Sequence, residues 1–256
     1  MEVITSRKNE NVRIVRDVFK SADYRHEQDL FGVEGDHLCG ELADNTNAIE
    51  FFLYTKKAAE KYPETVKKAS EKSFFTAVIT EELSEYISDT KSPQGLFAVA
   101  ERFGSPIPKD ARRLVVLDGV QDPGNVGTII RTAEAFGIDG IVYVHNCADK
   151  FSPKTLRASM GSVFRVPSLI TRADWAAEYL KDFTVYGAML DNSAKRLGEV
   201  NFPEKTAIVI GSEGSGISPE IAEICDEKIY IPINGAESLN AAMAAAVIMW
   251  ELKRGG

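Results

Sequence analysis

Three clusters in this chain carry residue types that could hold a small molecule and act on it. The apolar run Ala207 to Ile210 meets a turn, Gly211-Ser-Glu-Gly-Ser-Gly216, in which the carboxylate of Glu213 sits among glycines that let backbone approach a ligand. A second run, Lys228 to Ile233, meets Asn234-Gly235, and Ser238 and Asn240 then lead into an alanine-rich helix. Upstream, the loop from Asp118 to Gly124 delivers Asn125 to a helix that also carries Arg131, six residues on. Buried-strand signals that end in such loops describe a small-molecule site at the carboxyl ends of parallel strands. Taken singly, each residue has a plainer reading: Arg131 as a surface ion pair, Asn125 as a helix cap, the two loops as ordinary strand-to-helix turns. Gly211 to Gly216 lacks the Gly-Lys-Ser/Thr ending of a phosphate loop, and Glu213 at its centre would repel phosphate. Nor does it follow a first strand as GxGxxG, which argues against a dinucleotide enzyme. Cysteines 39, 147 and 225 and histidines 26, 37 and 145 lie far apart, so neither a disulfide framework nor a metal site is expected.

The elements that must position these residues form two α/β units. In the first, residues 1–102, one helical face carries Val12, Val15, Val18 and Phe19. Strands are expected at Leu30–Val33, Ile49–Tyr54, Phe74–Ile79 and Gly95–Ala100, and helices from Asp36, over Lys56–Lys72 and over Glu81–Asp89. Residues 103–112 hold two prolines, a glycine and several charges, and read as the linker. The second unit, residues 113–256, has expected strands at Leu114–Leu117, Ile141–Val144, Phe183–Met189, Ala207–Ile210 and Lys228–Ile233. Its helices are expected from Asn125 to a Gly137 cap, over Pro153–Met160, over Ala173–Lys181 and over Leu239–Leu252. Alternating strands and helices indicate layered α/β domains, the second with a parallel sheet.

With 256 residues, 44% hydrophobic and 27% charged, the composition is that of an ordinary globular protein. No apolar run approaches the ~20 residues that span a bilayer. The start, MEVITSRKNENVRIV, has no signal-peptide core, and the scattered thiols suit a reducing compartment, so a cytoplasmic location is expected. The net charge of −8 argues against indiscriminate coating of nucleic acid. Local basic surface is another matter. From Lys150 to Ala173 there are five basic residues and no acidic one, which by charge alone reads equally as a solvated helix face or as a surface for RNA.

Read together, DPGNVGTIIRTAEAFG (residues 122–137), GSEGSGIS (211–218) and IPINGAESLNAAMAAA (231–246) resemble, in order, the three signatures of the SpoU (TrmH) family of RNA ribose methyltransferases. The opening ITSRKNENVRIVRDV, the region of Arg25, FGVEGDHL and SPQGLFAVA resemble that family's N-terminal RNA-binding domain, and FSPKTLRASMGSVFRVP its connection between the first two signatures. The resemblance implies a SPOUT fold: a C-terminal parallel-sheet α/β domain with a deep trefoil knot, a rare exception to ordinary topology, plus a smaller N-terminal α/β RNA-binding domain. It implies methyl transfer from S-adenosylmethionine to a ribose 2′-hydroxyl of structured RNA, ribosomal RNA first, with transfer RNA or a non-catalytic RNA-binding protein as alternatives. It implies Asn125, Arg131, Glu213, Ser238 and Asn240 as the catalytic set. Cofactor contacts are implied at Gly187, Ala188, Met189, Gly211, Glu213, Gly216, Ile231, Ile233 and Leu239, and RNA contacts at Arg7, Arg25, Lys154, Arg157 and Arg165. The apolar character of the last helix on nearly every face leads to the expectation of a homodimer through the C-terminal domain. No metal is expected, since a sulfonium activates its own methyl group.

Overall fold

The structure, a computed structural model, describes residues 3–46, 48–191, 193–235 and 238–255. The first half of the chain runs β1 (Val3–Ile4), α1 (Glu10–Lys20), α2 (Ala22–Glu27), β2 (Leu30–Glu34), α3 (Asp36–Asn45), β3 (Ile49–Thr55), α4 (Lys56–Lys61), α5 (Pro63–Glu71), β4 (Ser73–Ile79), α6 (Glu81–Ile87) and β5 (Leu96–Glu101). The second half runs β6 (Arg113–Asp118), α7 (Pro123–Phe136), β7 (Gly140–Val144), α8 (Pro153–Ser159), β8 (Ser168–Thr171), α9 (Ala173–Leu180) and β9 (Thr184–Ala188). It ends with β10 (Lys195–Arg196), β11 (Thr206–Gly211), α10 (Pro219–Ala222), β12 (Glu227–Tyr230) and α11 (Ala241–Arg254). A 3-10 turn spans Ser162–Phe164.

Packing divides the chain into two compact units, residues 1–103 with 151–164, and residues 104–150 with 165–256. The first holds a five-stranded sheet ordered β1-β4-β3-β5-β2, in which β5 runs antiparallel to its two neighbours. Helix α1 lays Val12, Val15, Val18 and Phe19 on this sheet, as the helical spacing of those residues requires. The single helix expected over Lys56–Lys72 is broken at Tyr62. Pro63 has no N–H to bond back and forces the residue before it out of helical geometry, so α5 starts afresh with proline in its first turn.

Residues 151–164, grouped by sequence with the second domain, pack instead with the first unit. Phe151 stacks on Phe31 at 4.6 Å between ring centroids, and Phe164 stacks on Phe103 at 5.5 Å and meets Phe31 at 5.8 Å. Helix α8 is therefore held by aromatic burial that no local pattern encodes. Lys154 and Arg157 are exposed on it.

The second unit is a seven-stranded sheet ordered β10-β12-β9-β11-β6-β7-β8, with every pairing parallel. Its central strands are apolar through their middles, the pattern of strands covered on both faces. All strand ends that can build a site thus open on one edge. The order turns back between β6 and β11, and β11 carries that edge toward β9 and β12. Helix α7 begins at Pro123 with Asp122 as its cap and ends at Gly137, whose φ of +68° suits glycine. It packs beside α11, where Phe136 and Trp250 lie 5.8 Å apart. Replacing the fully buried Phe31 by alanine removes the centre of the aromatic cluster. Denaturant unfolding should show the first unit weakened by about 3–5 kcal/mol, with a fall in midpoint at unchanged slope.

Candidate active site

A cavity of about 440 Å³ lies over the carboxyl ends of β9, β11 and β12 and against the first turns of α11. Its walls come from Ala188–Leu190, Ile210–Gly211, the loop that follows, Ile229–Ile231, Ile233, Ser238–Leu239 and one side of α11 at Ala241, Ala244 and Ile248. That volume falls in the range of about 300–1,000 Å³ common for small-molecule sites, and the lining is mostly apolar with a few hydroxyls and one carboxylate. Such walls suit a flat heterocycle held by aliphatic side chains while backbone groups read its edge. They fit S-adenosylmethionine without any metal ligand. Among the described residues no group of three His, Cys, Asp or Glu side chains comes together.

Local sequence explains each wall. Strand β12 stops at Tyr230, three residues short of the apolar run, so Ile231 and Ile233 leave the sheet and line the cavity. Gly211 ends β11, and the chain at once folds back over it: Ser212 and Gly216 exchange backbone hydrogen bonds of 3.0 Å in both directions. A methyl group added at Gly211 would lie 2.2 Å from the Gly216 carbonyl carbon. The glycine serves the loop's own backbone more than close approach of a ligand. Gly216 takes a φ of +69°, in the left-handed region.

The polar set forms a chain of side chains. Asn240 caps α11, its oxygen accepting from the amides of Ala242 and Met243 at 2.9 and 3.3 Å. Its amide nitrogen donates to the Asn125 oxygen at 3.0 Å, and the Asn125 nitrogen donates to the Glu213 carboxylate. Capping does not explain Asn125, because Asp122 is the cap and accepts from the Asn125 amide at 2.9 Å. The three signatures of the sequence thus meet in one hydrogen-bonded row beside the cavity. Ser238 and Leu239 line the cavity too.

Other expected residues stand elsewhere. Gly187 is buried and does not line the cavity; a methyl group there would meet Met189 Cε at 2.6 Å and Cys225 Sγ at 3.0 Å, so the end of the Met189 side chain would have to move aside. Burial pushes the Cys225 thiol up to about 11, marking it as part of that dry layer and not as a reactive group. Arg131 is exposed on α7, does not line the cavity, and has no ion pair among the described residues. Arg25 is 7% exposed and donates to the Val18 carbonyl at 2.9 Å, so it ties α2 to α1 and is not presented to RNA. Arg165 bonds Glu134 through Nε and Nη2, which offsets its charge. Arg7 is exposed, with its guanidinium 4.7 Å from the Tyr86 ring centroid. The wall residues missed by sequence reasoning include Ser212, Ser215, Ile217 and Tyr230, which flank expected positions, and Ala222, Ala244 and Ile248, for which only the three-dimensional turn of a helix gives a signal.

A model of the SpoU rRNA Methylase family matches residues 112–250, and one of the MRM3-like substrate binding domain matches residues 9–98. The chain belongs to the SpoU rRNA methylase family. It is 32% identical over 256 residues to the 23S rRNA (guanosine(2553)-2′-O)-methyltransferase RlmP of Bacillus subtilis, covering 99% of this chain and 100% of that one. A tRNA/rRNA methyltransferase of Synechocystis, itself uncharacterized, is 31% identical over 98% of this chain and 93% of its own. The structure of an AdoMet-bound rRNA methyltransferase from Sinorhizobium meliloti superposes with a TM-score of 0.88 at 28% identity, covering 99% of this chain and 97% of that one. The protein is an S-adenosylmethionine-dependent RNA ribose 2′-O-methyltransferase, with a parallel-sheet methylase domain and an N-terminal α/β substrate-binding domain.

The tight fold-back after Gly211 leaves no space for a side chain there. In Gly211→Ala the added methyl group strikes backbone on both Gly216 and Ile217, and a rigid loop cannot yield as a side chain would. Calorimetric titration should show S-adenosylmethionine affinity lost by at least about tenfold, and thermal melting should fall by several degrees, as expected of about 1–3 kcal/mol of overpacking.

Proposed function

We propose that this chain acts in the cytoplasm as a homodimer that methylates a ribose of ribosomal RNA, with the cavity over β9, β11 and β12 as its cofactor site. The observation that carries the reading is the hydrogen-bonded row Asn240–Asn125–Glu213 at the cavity rim. Three segments far apart in sequence have no packing reason to bring two amides and a carboxylate together at an exposed rim; recognition of a polar substrate supplies one. Lys154, Arg157 and Arg7 are exposed cations suited to phosphate contacts, whereas Arg25 is withdrawn from that list. Because the Bacillus relative is named for guanosine 2553 of 23S rRNA and matches over its full length, 23S rRNA is the substrate to test first. No helix is long and apolar enough to cross a membrane among the described residues, which accords with action on ribosomal RNA. The trefoil threading implied by the family belongs to this proposal as well.

The bound cofactor supplies a methyl group already activated by its sulfonium. What the protein must supply is orientation and charge. Asn125 and Asn240 fix the Glu213 carboxylate at the rim. Arg131, with its planar fork of N–H donors, serves to orient ribose or phosphate and to stabilise the alkoxide as it develops. Ser238, at the cavity wall, is placed to bond the ligand or the ribose.

The dimer is supported by α11. Met243, Val247 and Trp250, spaced as one helical stripe, are 52%, 40% and 54% exposed. A second copy related by a twofold axis would cover that stripe and bring Arg131, on the neighbouring α7, to the shared boundary. Light scattering at micromolar concentration should give a dimer, and Trp250→Glu should shift it to monomer; a monomeric wild type overturns this part.

Mapping of 2′-O-methyl groups in total RNA with and without the gene should lose one site in ribosomal RNA. Loss from a transfer RNA, or no loss, would overturn the substrate reading. In vitro, Arg131→Ala should lower transfer by about a hundredfold to a thousandfold while leaving S-adenosylmethionine affinity nearly unchanged, since Arg131 is outside the cavity. Arg131→Lys retains charge without the planar fork and should stay inactive from neutral to alkaline pH. Activity that recovers as pH rises would instead make the residue a proton acceptor.

A further inference from the structure

Asp118 is the only buried carboxylate among the described residues, at 2% exposed, and none of the roles above uses it. It ends β6 directly beside Gly211, its partner in register at the end of β11. One carboxylate oxygen lies 2.5 Å from His145 Nδ1, and the other accepts from the backbone N–H of Ser218 at 2.6 Å. His145 follows β7 with a φ of +56°, a left-handed conformation that a side-chain-bearing residue adopts only when its surroundings hold it there. Ser218 is where the loop after β11 comes to rest: its side chain caps α10, and Ile217, one residue earlier, lines the cavity. The loop therefore leaves the sheet at Gly211, folds back through the Ser212–Gly216 bridge, and returns to the same sheet edge by a bond to Asp118. A buried carboxylate with two donors is held far more firmly than an exposed one, and removing it strands both donors.

We propose that Asp118, oriented by His145, is a positioning residue that clasps the 211–218 loop shut as a wall of the cavity, and so sets affinity for S-adenosylmethionine without touching it. This rests on the reading of the cavity as the cofactor site. The polar geometry distinguishes the clasp from general packing. Alanine at 118 removes both acceptors, whereas asparagine could keep Ser218 through its oxygen and His145 through its NH2 group with the imidazole in the other tautomer, so alanine is the variant that opens the clasp. Ser218 has a φ of −64°, which proline shares, so Ser218→Pro deletes the N–H while keeping the backbone path. Ser218→Ala keeps the N–H and loses only the hydroxyl cap. His145→Asn puts an N–H donor in the place of Nδ1 and tolerates the left-handed backbone.

The test is calorimetric titration of the full chain with S-adenosylmethionine, alongside RNA-binding and thermal-melting measurements on each variant. Asp118→Ala and Ser218→Pro should raise the cofactor dissociation constant by about ten- to a hundredfold, the effect of losing a buried charged hydrogen bond. Ser218→Ala and His145→Asn should stay within a few-fold of wild type. RNA affinity, carried by other surfaces, should be unchanged throughout. Wild-type cofactor affinity in both Asp118→Ala and Ser218→Pro overturns the clasp, as does parallel loss of cofactor and RNA binding with melting, which marks a merely structural group. Ala244→Phe, which fills the cavity from α11, separates the clasp from the site reading. If it leaves cofactor binding intact the cavity is not the cofactor site; if it abolishes binding while the clasp variants bind normally, the clasp alone fails.

Discussion

The turn after β11 governs the architecture of the site. A parallel sheet sends every strand-to-helix connection out at one edge, so the loops there compete for the same space. At Gly211 the competition is resolved by folding the chain tightly back on itself, which leaves no room for even a methyl group. The fold-back brings Glu213 to the rim and Ile217 to the cavity lining, while Ile231 and Ile233 line it from beyond the end of β12. Gly187 performs a related service one strand over, where its missing side chain admits Met189 and Cys225 beneath the wall. The cavity is therefore shaped by absent side chains as much as by those present.

What could be read from sequence follows the range of the forces involved. Helices and strands with a clean period, such as α1 and β6, are decided by residues a few positions apart, and their expected positions match the structure closely. The walls of the cavity were legible because glycine and short apolar runs announce strand ends locally. Short pieces without a period, β8, β10 and α10, gave no such signal. Tertiary choices were the hard part. Nothing near Phe151 says that it will stack on Phe31, some 120 positions earlier, and so residues 151–164 were grouped with the wrong neighbours in sequence. Arg25 as an RNA contact is implied by family likeness alone, and likeness of a segment does not say which of its side chains faces outward. The burial of Arg25 depends on a carbonyl of α1 that offers an acceptor where the chain turns into α2. Asn125 was legible as a residue of the site only through family likeness. Locally it resembles a cap, and only the placement of Asp122 as the actual cap leaves its amide free to bridge Asn240 and Glu213.

Helix α7 shows why the site residues cannot all converge on one cavity. Asn125 and Arg131 are six residues apart, which at about 100° per residue leaves them roughly 120° apart around the axis. If Asn125 points to the loop and to α11, Arg131 cannot. The structure agrees: Asn125 is bonded in the row at the rim, and Arg131 stands in solvent on the same helix. The carboxylate of Glu213 is consequently satisfied by a neutral amide and not by the guanidinium. That arrangement keeps two opposite charges from pairing with each other. An exposed guanidinium with no ion pair among the described residues keeps its N–H donors in water, which solvates them cheaply. An arginine already paired with Glu213 would have to surrender that bond before it could take another partner, at a cost of the order of a charged hydrogen bond, about 1.5–3 kcal/mol. The separation of Asn125 from Arg131 on α7 thus leaves the carboxylate held by a neutral amide from one face of the helix, and the guanidinium in solvent on another.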